Sequence, residues 1–310
     1  MLTPAAFPDL LTSPEDPRLG HLVRPGTLAD LVTKPRCVVI GFPSDEGVRR
    51  NGGRVGARDG PAAIRQWLYR LTPDPVHHKA FSQLCQSTLD LGNVVCTGHL
   101  EADQAGLGEV VQMTLAAGTV PIILGGGHET SWGHLQGYMR QKQPFRVVNI
   151  DAHADVRPLR NELAHSGSPF YQALTMSDGL CQGYDVAGLN PSTVAAAHVR
   201  FIEEQGGRVY LAESCSHALW DTLYQTEGAP IVATFDLDAL DQTAALGVSA
   251  PNASGLSPKR WLAACEAAGR SPQVASFDIV ELNPAYDRDH QTARLAALSV
   301  WRILNGLALR

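Results

Sequence analysis

Phe145-Arg-Val-Val-Asn-Ile150 followed by Asp151-Ala-His-Ala-Asp155 is the stretch on which the reading of this chain turns. The first part is an apolar run of strand length, and the second sets three metal-capable side chains at alternate positions. If the strand continues, positions i, i+2 and i+4 share one face, so Asp151, His153 and Asp155 converge at its end.

Two more segments repeat the pattern. Ile231-Val-Ala-Thr-Phe235 runs into Asp236-Leu-Asp238, and Thr119-Val-Pro-Ile-Ile-Leu124 runs into Gly125-Gly-Gly-His128-Glu129. Together they offer His128, Asp151, His153, Asp155, Asp236 and Asp238, more donors than one ion uses. Clustered Asp carboxylates repel unless cations neutralise them, and two dications bring about +4. The expectation is therefore a binuclear centre. A donor set rich in oxygen and free of thiolate suits Mn²⁺ better than a Cys-rich zinc site, with Fe²⁺, Co²⁺ and Zn²⁺ as alternatives.

Outward from these segments, strand-like and helical runs alternate from about residue 37 to the end. Strands are expected at 37–42, 86–91, 119–124, 146–151, 208–213, 230–237 and 273–280, and helices at 60–71, 102–117, 129–142, 192–205, 257–269 and 289–308. This alternation predicts an α/β fold: a single-domain, three-layer αβα unit over residues 31–310 with a mostly parallel central sheet. Residues 1–30, with five prolines, read as an extended arm. In such sheets ligands bind beyond the carboxyl ends of the strands, where each proposed metal ligand falls. Glycines 125–127 suit a close backbone approach, and no GxGxxG or GxxxxGK[ST] loop supports a phosphate cradle instead.

The chain has 310 residues, 44% hydrophobic and 18% charged, which is ordinary for a globular protein. A net charge of −6 without a basic tract argues against a nucleic-acid partner. No apolar run approaches the ~20 residues of a membrane span, and the amino terminus lacks the basic head and apolar core of a signal peptide. Six scattered cysteines without a CxxC pair fit reduced thiols, so a cytoplasmic location is expected.

The motifs at 125–129 and 151–155, with Thr234-Phe-Asp-Leu-Asp-Ala-Leu-Asp241 and Asp278-Ile-Val-Glu-Leu-Asn-Pro-Ala-Tyr-Asp287, resemble in their order and separation those of the ureohydrolase family, which includes arginase and agmatinase. The resemblance covers roughly residues 37–305 and implies an arginase-like fold with two Mn²⁺ per chain. By motif position, His128, Asp151, Asp155 and Asp236 would hold one ion, and Asp151, His153, Asp236 and Asp238 the other. Asp151 and Asp236 would then bridge, Glu281 would face the substrate, and Asp241 would steady its loop. Homo-oligomers are common in the family, and no residue here identifies an interface.

Arg49-Arg-Asn-Gly-Gly-Arg-Val-Gly-Ala57 with Gly60-Pro-Ala-Ala-Ile-Arg65, and Ser166-Gly-Ser-Pro-Phe170, look like the formimidoylglutamase branch. That branch hydrolyses N-formimidoyl-L-glutamate to L-glutamate and formamide in histidine degradation. Such a small-molecule substrate carries two carboxylates and an amidine, so its site needs cationic forks. Arg157, two residues beyond Asp155, is the first candidate to grip a carboxylate, and Arg54 with Asn51 is the second. Arg49, Arg50 and Arg58 read as surface charges. His165, beside the Ser166 that stands where arginase has its shuttling histidine, is a substitute proton shuttle. In the implied reaction a metal-bridging hydroxide attacks the amidine carbon, Glu281 holds the amidine, and Asp155 or a metal-bound water protonates the departing amine. Glu129 reads as a packing or capping acid. The remaining histidines, His134 among them, lack a strand-end setting or acidic companions. Alternative readings are a guanidine-specific ureohydrolase (agmatinase, guanidinobutyrase or arginase) releasing urea, a non-catalytic metal-binding protein of the same fold, and a single-zinc deacetylase.

Overall fold

Runs rich in β-branched and aromatic residues, punctuated by glycine and polar turns, form a ten-stranded sheet. The computed structural model describes residues 2–11, 15–225 and 227–310; Met1 and residues 12–14 of the expected arm lie outside them. The strands are β1 (Leu2–Thr3), β2 (Arg24–Pro25), β3 (Cys37–Phe42), β4 (Thr88–Val94), β5 (Val120–Gly125), β6 (Phe145–Ile150), β7 (Cys181–Leu189), β8 (Arg208–Leu211), β9 (Ile231–Asp236) and β10 (Val274–Val280). Their order across the sheet is β1-β4-β3-β5-β10-β9-β6-β7-β8, with β2 also paired to β4. Every pairing is parallel except β1 with β4.

The helices are α1 (Leu19–Leu22), α2 (Glu46–Asn51), α3 (Gly60–Leu68), α4 (His78–Gln86), α5 (Leu100–Ala116), α6 (Thr130–Arg140), α7 (Pro169–Met176), α8 (Ala196–Glu204), α9 (His217–Leu223), α10 (Pro258–Arg270) and α11 (Gln291–Ala308). Alternating side chains divide the core. Val148 and Ile150 of β6 pack with Trp261 and Val300 of α10 and α11, whereas Phe145 and Val147 pack with Leu135, Phe170 and Ile202 of α6, α7 and α8. The sheet is thus covered on both faces, the three-layer α/β arrangement expected.

Three expectations are corrected. No strand is expected at β7, because Gly183, Asp185 and Gly188 interrupt its apolar run. It forms because Arg208 reaches across from β8 to Asp185 (Nε–Oδ1 3.0 Å, Nη2–Oδ2 2.6 Å) while Val186, Ala187 and Leu189 are buried. Helices α2, α4, α7 and α9 are short and fall in stretches where no helix is expected. The segment expected as an extended arm is pinned to the sheet: Leu2 and Thr3 pair with Val94 and Asn93, Arg24 and Pro25 pair with Leu89 and Asp90, and Phe7 stacks on Tyr69 at 4.5 Å. It also contains the helical turn α1, which buries Leu19.

Candidate metal centre

Four adjacent central strands, β5, β10, β9 and β6, end side by side. The carboxyl ends of β5, β9 and β6 deliver the proposed ligands. The Asp151–Asp155 run does not continue β6 as a strand, since β6 stops at Ile150. Convergence comes instead from a turn in which Asp151 Oδ1 accepts from His153 N–H at 2.6 Å and Asp155 adopts a left-handed backbone (φ 46°). The same device recurs after β9, where Asp236 Oδ1 accepts from Asp238 N–H at 2.8 Å. After β5, Gly126 lets the chain pass against Ser44, whose carbonyl oxygen would lie 1.8 Å from any Cβ there.

All six side chains come together. Donor atoms of His128, Asp151, Asp155 and Asp236 lie within 4.8 Å of one another, as do those of Asp151, His153 and Asp238. His128 Nδ1 stands 3.2 Å from Asp151 Oδ2, 3.0 Å from Asp155 Oδ2 and 3.0 Å from Asp236 Oδ2, and His153 Nδ1 stands 3.0 Å from Asp238 Oδ2. Asp151 belongs to both sets; Asp236 groups with the first alone.

These spacings test whether an ion pair fits. Metal–donor bonds of about 2.1 Å at right angles set neighbouring donors about 3.0 Å apart, against about 3.4 Å for a tetrahedral centre. The three distances from His128 Nδ1 fall at the octahedral edge. His128 Nδ1 is buried with no hydrogen-bond partner, and its Nε2 lies 3.0 Å from Thr234 Oγ1. With Nε2–H donating to Thr234, the Nδ1 lone pair points at the three carboxylates, as a ligand's must. Burial pushes Asp238 up to about 6, and burial with the neighbouring Asp238 and Asp151 pushes Asp236 well above the ordinary carboxylate range. Acids crowded this way in a dry site call for cations.

A cavity of about 190 Å³ opens over the cluster, lined by His153, Asp155, Asp236 and Asp238 together with Asn51, Arg157, Ser166, Ser249 and Glu281. Asn51 joins two of these, receiving Arg157 Nη1 at 3.2 Å and donating to Ser166 Oγ at 3.1 Å. Glu281 follows β10 with a left-handed backbone (φ 69°), and its Oε1 accepts from His128 N–H at 2.6 Å. Its Oε2 is buried without a partner, and burial raises the carboxyl to about 7.

Two expected site residues are not brought to the cavity. The Arg54 guanidinium lies 4.1 Å from the centre of the Tyr286 ring and donates to the carbonyls of Leu246 (3.2 Å) and Val248. It ties loops together and does not line the cavity. His165 is buried with both ring nitrogens engaged: Nδ1 accepts from Gly167 N–H at 3.2 Å, and Nε2 donates to the Pro158 carbonyl at 3.1 Å. Burial lowers its pKa, and a neutral ring fixed to the backbone is a poor proton shuttle. Glu129 is fully buried at the start of α6, where Oε1 accepts from Gly47 N–H at 2.8 Å. Asp241 accepts from Thr243 N–H at 2.9 Å and shapes its own turn. Two features were not read from sequence: Ser249 in the cavity wall, and a buried polar stripe of Thr234, Ser276 and Asp278 beneath Ser131 and His134 of α6. The i, i+3 spacing of Ser131 and His134 on one helix face was the available signal for the stripe.

Comparison with known proteins places the chain. The arginase family model matches residues 35–305. A formimidoylglutamase of Rhodococcus jostii is 36% identical over 283 residues, covering 86% of this chain and 85% of that protein. One from Salmonella newport is 34% identical over 302 residues, covering 95% and 93%. The crystal structure of Trypanosoma cruzi formiminoglutamase with Mn²⁺ superposes with a TM-score of 0.87 at 31% identity, covering 95% of this chain and 99% of that one.

Proposed function

The chain belongs to the arginase family, and from that membership we propose that it is a binuclear-metal hydrolase cleaving N-formimidoyl-L-glutamate to L-glutamate and formamide. The observation that carries this reading is a single cavity with a carboxylate–imidazole cluster in its floor and an arginine in its wall. A substrate with an amidine at one end and carboxylates at the other matches those two kinds of group.

His128, Asp151, Asp155 and Asp236 would hold one Mn²⁺, and Asp151, His153 and Asp238, with Asp236 as a second bridge, the other. When bound, the ions make hydrolytic water reactive near neutral pH. Glu281, anchored through Oε1 to His128 N–H, has Oε2 to accept an amidine N–H and hold the carbon in line. Arg157, oriented by Asn51, grips a substrate carboxylate. Asp155 lines the same cavity, where it would take the proton released by the attacking water and pass it to the departing amine. The reaction serves histidine degradation in the cytoplasm, where all six cysteines remain free thiols, as they are here. No helix among the described residues is long and apolar enough to cross a membrane.

A guanidine substrate is the second reading, since the same floor would take it. Arg157 disfavours agmatine, which has no carboxylate for it to grip, whereas guanidinobutyrate and arginine each have one, so the product separates the readings. Incubating the Mn²⁺-loaded protein with formimidoylglutamate, agmatine, guanidinobutyrate and arginine separates the two. Formamide from the first alone is expected; urea from any of the others would assign the chain to guanidine hydrolysis.

A further inference from the structure

A buried chain of hydrogen bonds leads away from the metal centre between α6 and the sheet. His128 Nε2 lies 3.0 Å from Thr234 Oγ1, Thr234 Oγ1 lies 3.2 Å from Ser131 Oγ, and Ser131 Oγ lies 3.3 and 3.2 Å from the two Asp278 oxygens. A second branch reaches the same carboxylate: Tyr138 OH to Ser276 Oγ, Ser276 Oγ to His134 Nε2, and His134 Nδ1 to Asp278 Oδ2, each 2.7 Å. Thr234, Ser131, Asp278, His134, Ser276 and Tyr138 are each at most 1% exposed, so bulk water offers no alternative partner.

The direction of this chain follows from its end. A carboxylate only accepts, so Ser131 must donate to Asp278. Its oxygen is then free to accept from Thr234, and the Thr234 oxygen to accept from His128 Nε2–H. That assignment leaves Nδ1 of His128 unprotonated toward Asp151, Asp155 and Asp236. On the other branch His134 donates Nδ1–H to Asp278 and fixes the carboxylate in place.

We propose that Asp278, held by His134, is a positioning residue that selects the metal-binding tautomer of His128 from three hydrogen bonds away. The proposal rests on the reading of the centre as a two-ion site. It concerns one ion of the pair, because His153 has no part in the network.

Asp278→Asn conserves shape and reverses the polarity. Its carbonyl oxygen takes the His134 donor, its NH₂ faces Ser131, and each hydroxyl can turn so that Thr234 donates to Nε2. His128 then carries its proton on Nδ1 and cannot ligate. Ser131→Ala cuts the relay without touching the Asp278–His134 pair, and serves if Asp278→Asn does not fold.

The test compares wild type with both variants by Mn²⁺ titration and electron paramagnetic resonance, with circular dichroism of the metal-free proteins as the folding control. Loss of an outer hydrogen-bond partner weakens a metal about 10–100-fold. The expected result is one ion weakened by that factor in Asp278→Asn, with the spin-coupled pair signal giving way to that of an isolated Mn²⁺, and the same direction in Ser131→Ala. A folded variant that keeps both ions at wild-type affinity overturns the proposal, as does equal weakening of both. Wild type that binds fewer than two Mn²⁺ overturns the functional reading itself, whatever the variants do.

Discussion

Replacing Arg157 by methionine removes a charge while keeping most of the aliphatic stem, so packing is largely preserved. In the free protein the guanidinium makes one side-chain hydrogen bond, from Nη1 to Asn51 Oδ1 at 3.2 Å, which leaves most of its N–H donors for a ligand. The loop does not depend on the side chain, since Arg157 N–H donates to the Gly167 carbonyl at 2.9 Å. What is lost is a charge-assisted pair with a substrate carboxylate, worth about 1.5–3 kcal/mol. At about 1.4 kcal/mol per factor of ten, KM rises about 10- to 150-fold. Metal content stays at the wild-type value, because Arg157 is not among the clustered donors and its side-chain hydrogen bond goes to Asn51. The assay is formamide release against substrate concentration, paired with metal analysis of the same sample. An analogue lacking one carboxylate should lose in wild type about what the substitution costs, and should lose little more in the variant. An unchanged KM for the full substrate in a metal-replete variant would refute the assignment of Arg157 to the substrate.

Other perturbations probe separate parts of the account. Asp236→Ala should strip both ions and abolish turnover, whereas Asp238→Ala should chiefly loosen one; metal analysis after dialysis at fixed free Mn²⁺ reads the difference. His165 has a pKa below its ordinary value because it is buried, so its contribution to stability is present above about pH 6.5 and is lost as pH falls below that value toward its folded pKa. His165→Gln should flatten that acid limb of a denaturation series, and it should leave the activity profile above pH 7 in place. Arg65→Met leaves Asp90 buried without the guanidinium that now meets it at 2.7 and 3.0 Å. Breaking such a pair costs about 3–5 kcal/mol, read as a lower urea midpoint with unchanged cavity chemistry.

The ligand set was legible because each member sits just past an apolar run and because period-two spacing is retained through the turn. The reason it converges was not legible. Strand geometry was expected to carry Asp151, His153 and Asp155 to one point, but β6 stops at Ile150 and aspartate-bonded turns perform the task. Side-chain direction in loops was the weaker part of the reading. Arg54 and His165 lie near the site in sequence, yet carbonyls decide where they point, and the Leu246 and Val248 carbonyls that capture Arg54 come from a distant segment. His134 carries no signal in the sequence because its acidic companion, Asp278, lies on a strand far along the chain. β7 escaped because an internal Asp185 reads as a breaker until Arg208 is placed beside it.

The central claim is that six side chains from separate strand ends cage two adjacent cations. Anomalous diffraction at the manganese edge from crystals grown with Mn²⁺ measures this directly. Two peaks about 3.5–4 Å apart are predicted, one beside His128 Nδ1 and one beside His153 Nδ1, with Asp151 touching both. A single peak, or peaks away from these residues, would contradict the account.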